Sequence, residues 1–308
     1  MANDCRGRVI RSGDARPILL LGAGGQLGRA LTTRLAGLGP VIPLGRAEAD
    51  LDRPESLRAV VSAANPCLVV NAAAYTAVDD AERDEARCLR VNAESPGVLA
   101  EETARRGVPL LHFSTNYVFD GQAAKPYTED DPPAPLNVYG RSKLLGERAV
   151  AVNRKHLILR LAGVYAATGR NFMCRILDLS REREELRVIE DQLVAPTPAS
   201  AVADATVEIL RTWSNGPVEM PIGTYHLTCA GSTSWLGFAE RILALDPFRE
   251  RQRVQRVVAV SSDEFGAAAR RPLNGLLDNG KCTGELGVSI PDWEPELQRT
   301  IAEYANRS

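Results

Sequence analysis

Residues 17–38 read PILLLGAGGQLGRALTTRLAGL, and no other stretch limits the fold as tightly. A proline followed by four aliphatic residues suits a strand covered on both faces, as in a parallel sheet with helices on each side. Gly22 to Gly28 follow at once, and the apolar residues after them recur at helical spacing. Strand, glycine turn and helix, in that order, form the setting in which a pyrophosphate sits on a helix N-terminus. The spacing is G-x-x-G-x-x-G as well as G-x-G-x-x-x-G, so the simple dinucleotide fingerprint is met loosely. An ordinary glycine-rich βα turn is the competing reading.

The chain then repeats this unit. Residues 41–44 read as a second strand ending near Arg46, with Asp50 and Asp52 shortly after. A cation there suits a 2′-phosphate, whereas an acid would bond the free ribose hydroxyls. Arg46 therefore favours NADPH, the two aspartates leave NADH open, and a surface arginine is the plainer alternative. Residues 54–64 form a helix that Asn65-Pro66 ends. Residues 67–76 (CLVVNAAAYT) make a third strand, whose small Ala72, Ala73 and Ala74 let a cofactor lie across the sheet edge. A helical region over 79–106, interrupted at Pro96, precedes a strand over 108–113 (VPLLHF). That strand carries Phe113 and delivers Ser114, Thr115 and Asn116 to the same edge; His112, inside the apolar run, reads as a core residue.

Chemistry enters with Tyr139 and Lys143, at the start of a helix expected over about 138–153. Four residues apart, they share one helix face. An ammonium beside a phenol lowers a pKa that is about 10 in water, which suits a tyrosine that gives a proton to a carbonyl oxygen. Thr115 offers a hydroxyl to the same oxygen. The same spacing is common in surface pairs, so the weight comes from the company it keeps.

With 308 residues and 44% hydrophobic content, the chain is ample for a packed core. A net charge of -2 argues against a general nucleic-acid or membrane-surface binder. No apolar run approaches a membrane span or a signal peptide. The six cysteines are scattered without a CxxC pair and the three histidines are dispersed. Reduced thiols, a cytoplasmic setting and no metal site are expected.

Beyond a strand over 156–161, Asn171-Phe172 opens a helix that runs into REREELR, read as a solvated charged face. Residues 214–223 look like a connection, and a strand over 224–228 and further helices complete the chain. The pattern is α/β, a doubly wound parallel sheet of Rossmann type. Residues 1–16 are expected to be a flexible extension and 17–165 a nucleotide-binding domain. Residues 166–308 form a smaller substrate-binding region, of which about 186–215 returns to the sheet.

Six stretches, NAAAYTAVD (71–79), STNYVFDG (114–121), PLNVYGRSK (135–143), DQLVAPT (191–197), Arg271-Pro272 and the glycine turn, resemble the dTDP-4-dehydrorhamnose reductases. These are extended short-chain dehydrogenases/reductases. The resemblance implies NAD(P)H-dependent reduction of a 4-keto sugar nucleotide toward dTDP-L-rhamnose for envelope polysaccharide. It makes Tyr139 the proton donor, Lys143 its tuner and the holder of the nicotinamide ribose, and Thr115 the hydroxyl partner. Gly25, Gln26 and Leu27 become the pyrophosphate turn, Ala72 to Ala74 the edge under the cofactor, and Arg271 a cation facing the substrate. Oligomeric state stays open, a homodimer included, as does the use of a magnesium ion, and no nucleic acid or membrane is implied.

Three departures bear on the substrate. Asn116 stands where these reductases usually have aspartate, Gly163 where they have tryptophan, and Val194 where they have glycine. The lost aromatic wall at Gly163 removes contact area, and a tryptophan placed there is expected to restore it. Two alternatives accompany the reductase: a regulatory subunit resembling the β subunit of methionine adenosyltransferase, and a sugar-nucleotide epimerase of the same fold.

Overall fold

The computed structural model describes residues 15–215 and 221–307. Residues 1–14 of the expected extension lie outside these, as do 216–220 of the expected connection.

The apolar runs become β1 (Ile18–Leu21), β2 (Val41–Leu44), β3 (Leu68–Asn71), β4 (Leu110–Thr115) and β5 (His156–Leu161), joined by β6 (Gly223–His226). All are parallel, in the order β6-β5-β4-β3-β1-β2. The chain winds one way from β1 to β2 and the other way from β3 onward. The topological switch point therefore falls between β1 and β3. Five helices cover the sheet: α1 (Gln26–Leu35), α2 (Leu57–Ala64), α3 (Ser95–Arg105), α4 (Val138–Val150) and α5 (Ala199–Asn215). Successive strand residues point to opposite faces, and both sets are buried. Leu20, Val70 and Leu111 pack with Leu31 of α1 and Val202 of α5. Leu19, Val69 and Ile158 pack with Val61, Leu99 and Val150 of α2, α3 and α4.

Three expectations change. Pro96 does not interrupt the helical region, since Arg90–Glu94 widens into a π-helical turn that runs directly into α3. A proline ring collides with the carbonyl four residues back, and a π turn moves that carbonyl aside. The charged run 181–187 is not one helical face either. The helix Phe172–Glu182 stops inside it, and Glu185–Ile189 is a strand parallel to Arg256–Val260, with Leu186 and Val188 turned inward at period two. Within 186–215, α5 packs on α1 beside the main sheet, whereas the strand that joins next to β5 is β6, from further along the chain. No described helix is long and apolar enough to cross a membrane.

Candidate active site

A cleft of about 890 Å³ opens across the C-terminal ends of β1, β3, β4 and β5, with Gly163, Val164, Gly169, Arg170, Phe172 and Trp235 also in its lining. Its floor is the glycine turn. Gly22 has φ +79°, and a Cβ there would lie 2.6 Å from Ala73 N, so the ends of β1 and β3 nearly touch. Gly22, Gly25, Gln26 and Leu27 line the cleft, together with Gly24, which the sequence reading passed over. Gly28 does not line it. A Cβ at Gly28 would meet Gly22 O at 2.0 Å, so this glycine lets α1 pack on the turn instead of touching a cofactor. The N-cap of α1 is Gly25 and supplies no side-chain cap, which leaves first-turn N–H groups for an anion. The turn thus fits a dinucleotide pyrophosphate.

Arg46 and Asp50 both line the cleft, Arg46 well exposed and its Nε 3.4 Å from Asp50 Oδ1. Asp52 does not face the cleft. Arg87 Nε and Arg90 Nη1 hold its carboxylate at 2.7 and 2.9 Å and, against a partial cost of burial, keep it below the usual carboxylate range. Ala72, Ala73, Ala74 and Phe113 all line the cleft, as expected of residues at the strand ends.

Tyr139, Lys143 and Thr115 all line the cleft, with Thr115 hydrogen-bonded to Tyr139. Asn137 caps α4 by accepting from Gly140 N at 2.7 Å, and a Cβ at Gly140 would sit 2.1 Å from Tyr117 O. That close approach sets Tyr139 against the end of β4. Thr115 Oγ1 accepts from Tyr117 N at 3.2 Å and donates to Asn116 Oδ1 at 3.3 Å. The expected tuning of Tyr139 by Lys143 is not found. Burial pushes the Tyr139 phenol up, and the opposing influence is a hydrogen bond with Thr115. Lys143 Nζ instead donates to Phe113 O at 2.7 Å and lies 3.1 Å from His112 Nε2. Desolvation pushes its ammonium down to about 8.

On the substrate side, Asn116 and Gly163 line the cleft. Asn116 Nδ2 donates to Gly275 O at 3.0 Å, a bond an aspartate could not make. Gly163 has φ +56°, and a Cβ there would meet Val194 Cγ2 at 2.6 Å and Ala195 O at 3.2 Å. A tryptophan at 163 therefore has no room, and the expectation that it restores a wall is corrected: Val194 already fills the space. Arg271 does not line the cleft. Its Nη2 donates to Asp79 Oδ2 at 2.7 Å, and its guanidinium hydrogen-bonds the Tyr117 phenol from behind.

Sequence reasoning missed Asn92, whose side chain accepts from Tyr75 N at 2.8 Å and donates to Ser142 Oγ at 3.0 Å. It thereby clamps the alanine strand end to α4 from inside the π turn. Arg29, Arg170, Phe172 and Trp235, also in the cleft lining, carried no local signal. Among the described residues, no group of three or more His, Cys, Asp or Glu is placed to hold a metal ion.

Residues 16–306 match the family model described as RmlD substrate binding domain. The chain is 47% identical over 282 residues to a dTDP-4-dehydrorhamnose reductase of Burkholderia thailandensis, covering 90% of this chain and 95% of that one. It resembles the crystal structure of such a reductase from Clostridium acetobutylicum with a TM-score of 0.86 and 33% identity, covering 94% of this chain and 99% of the other. A Bacillus anthracis dTDP-4-dehydrorhamnose reductase solved in complex with NADP aligns with a TM-score of 0.84 and 32% identity, over the same shares. Agreement over nearly the full length, in sequence and in fold, places this chain in the dTDP-4-dehydrorhamnose reductase family.

Proposed function

We infer that this protein is an NAD(P)H-dependent oxidoreductase that reduces the 4-keto group of a dTDP-4-keto-6-deoxysugar, converting dTDP-4-dehydrorhamnose to dTDP-L-rhamnose. The observation that carries this reading is one cleft holding both a phosphate-ready glycine turn and the Tyr139–Thr115 pair. The Burkholderia relative bears the reductase name, and the Bacillus relative was solved with NADP.

Gly22, Gly25, Gln26 and Leu27 would hold the pyrophosphate, Arg46 the 2′-phosphate of NADPH, and Asp50 the adenosine ribose. Ala72 to Ala74 and Phe113 would lie under the rest of the cofactor, with Lys143 at its nicotinamide ribose. The bound nicotinamide supplies the hydride. Tyr139 and Thr115 orient the substrate carbonyl by hydrogen bonds to its oxygen, and Tyr139 gives that oxygen a proton as negative charge develops. A raised phenol pKa keeps Tyr139 protonated until then, so it acts as an acid. Asn116 and the backbone at Gly163 would contact the sugar. Arg271 acts one layer out, through Tyr117. In this division residues 17–165 hold the cofactor and the reacting groups and reach the sugar through Asn116 and Gly163, and 166–308 complete the substrate side. The free thiols of Cys88, Cys174, Cys229 and Cys282 suit a reducing cytoplasm.

The test is NADPH absorbance with purified protein and dTDP-4-keto-6-deoxyglucose, supplied together with its epimerase. Oxidation of NADPH is expected. Cofactor binding without turnover, across several keto-sugar nucleotides, would favour the regulatory-subunit reading.

A further inference from the structure

His112 and Asn71 are register partners on neighbouring strands, both buried beneath the cofactor cleft. Asn71 Oδ1 accepts from Ala73 N at 3.1 Å, which fixes the orientation of the amide and turns Nδ2 toward His112 Nδ1, 3.2 Å away. An amide nitrogen only donates, so Nδ1 of His112 must accept. A neutral imidazole that accepts at Nδ1 carries its proton on Nε2, and Nε2 is the atom 3.1 Å from Lys143 Nζ. An ammonium has no lone pair with which to receive that proton. The arrangement in the structure is therefore that of a neutral Lys143 amine, donating to Phe113 O and accepting from His112.

We propose that His112 is a positioning residue whose tautomer is locked to the charge on Lys143, with Asn71 linking that charge to the backbone of Ala73 in the cofactor cleft. The proposal rests on the reductase reading only for its bearing on turnover. When Lys143 takes up one proton, its ammonium donates to His112 Nε2 and the imidazole proton resides on Nδ1. Asn71 must then turn its oxygen toward His112, and Ala73 N loses its acceptor. Between the two states the lysine–histidine pair differs by one proton, and the imidazole stays neutral in both.

Other groups around the pair do not supply this switch. Glu147, on the same helix, is held by Arg160 of β5, with Nε to Oε1 at 2.9 Å and Nη2 to Oε2 at 2.7 Å. Cys88, from the helix Glu85–Leu89, is raised by burial and hydrogen-bonds Ser142. Tyr139, one turn back on α4, is raised as well. Burial drives the His112 imidazole well below its ordinary value, the Lys143 charge adding to this, so cationic histidine is not a third state. With the lysine brought down to about 8, both proposed states fall within an accessible pH range.

The experiment is 15N NMR of histidine-labelled protein, in which three histidines are followed and His112→Phe identifies one signal. The His112 signals should show Nε2–H at about pH 9.5 and Nδ1–H at about pH 6.5, at constant neutral charge. One tautomer throughout that range would overturn the proposal, as would a doubly protonated ring. Asn71→Asp supplies an acceptor that holds Nδ1–H at every pH and should raise the pH at which Lys143 titrates by a unit or more. A tautomer that still switches in that variant would also overturn it. These readouts need no sugar substrate, so they stand or fall apart from the reductase assay.

Discussion

Lys143, on α4, and Arg160, which β5 brings to Glu147 one helical turn further along α4, are both buried, and they are held in different ways. Arg160 forms a two-pronged pair with Glu147, both about 5% exposed, with His226 Nε2 at 3.4 Å and the Phe119 ring below. Lys143 has a carbonyl and an imidazole, and among the described residues no carboxylate pairs with it directly. A fully paired cation ties α4, β5 and β6 together and stays charged. A buried cation without a counterion is costly, so its proton is loosely held. The first arrangement builds the scaffold, and the second leaves a titratable group beside the cofactor cleft.

Breaking the scaffold pair should have the largest effect. Glu147→Gln leaves Arg160 buried without its counterion, and unfolding by denaturant should show a loss of about 3–5 kcal/mol. A loss below about 1 kcal/mol would show that the two cations are held alike.

Lys143→Met should sharpen the contrast from the other side, through pH. Burial lowers the folded-state pKa of Lys143 to about 8 from an ordinary 10.5, so its penalty is fully present below about pH 8. Between those values the unfolded chain binds the extra proton, and stability rises with pH. Measured against Lys143→Met, the wild type should therefore gain, by up to roughly 3 kcal/mol, as pH climbs through that window. A flat difference would remove Lys143 from the titration.

Tyr139→Phe tests the chemistry next to the unpaired cation without touching either charge. Turnover should fall by about 10²-fold or more, with the NADPH Kd and the melting temperature nearly unchanged. Retained turnover would exclude Tyr139 as the acid. The smallest effect belongs to an exposed cation, with which the buried two are contrasted. Arg46→Ala should weaken NADPH about tenfold while sparing NADH, as expected for a lost phosphate contact. Equal weakening of both cofactors would detach Arg46 from the 2′-phosphate.

Local patterns made much of this readable from sequence. The unbroken apolar run of β1, its glycines and the period of α1 fixed one another, and the spacing from Tyr139 to Lys143 sufficed to bring both into the cleft. What failed depended on partners far along the chain. Asp52 looked free for a ribose until Arg87 and Arg90 reached it from beyond β3. Arg271 looked free for a substrate until Asp79 claimed it. The direction of the Tyr139 shift was misread because spacing reports which face a residue occupies and says nothing of how deeply that face is buried. Gly28 was assigned to the cofactor because a packing glycine and a phosphate glycine look the same in sequence; the 2.0 Å approach to Gly22 O separates them.

The contact between Gly163 and Val194 restricts the paths by which this wall of the cleft can change. Of the two single steps toward a tryptophan and a glycine at these positions, Gly163→Trp first drives a side chain into Val194 from a backbone at φ +56°. Val194→Gly first merely opens a gap. Exchange between the two forms of the wall is thus ordered, with 194 changing before 163 on the way in and after it on the way out. Two positions that look like independent departures share one volume of the wall.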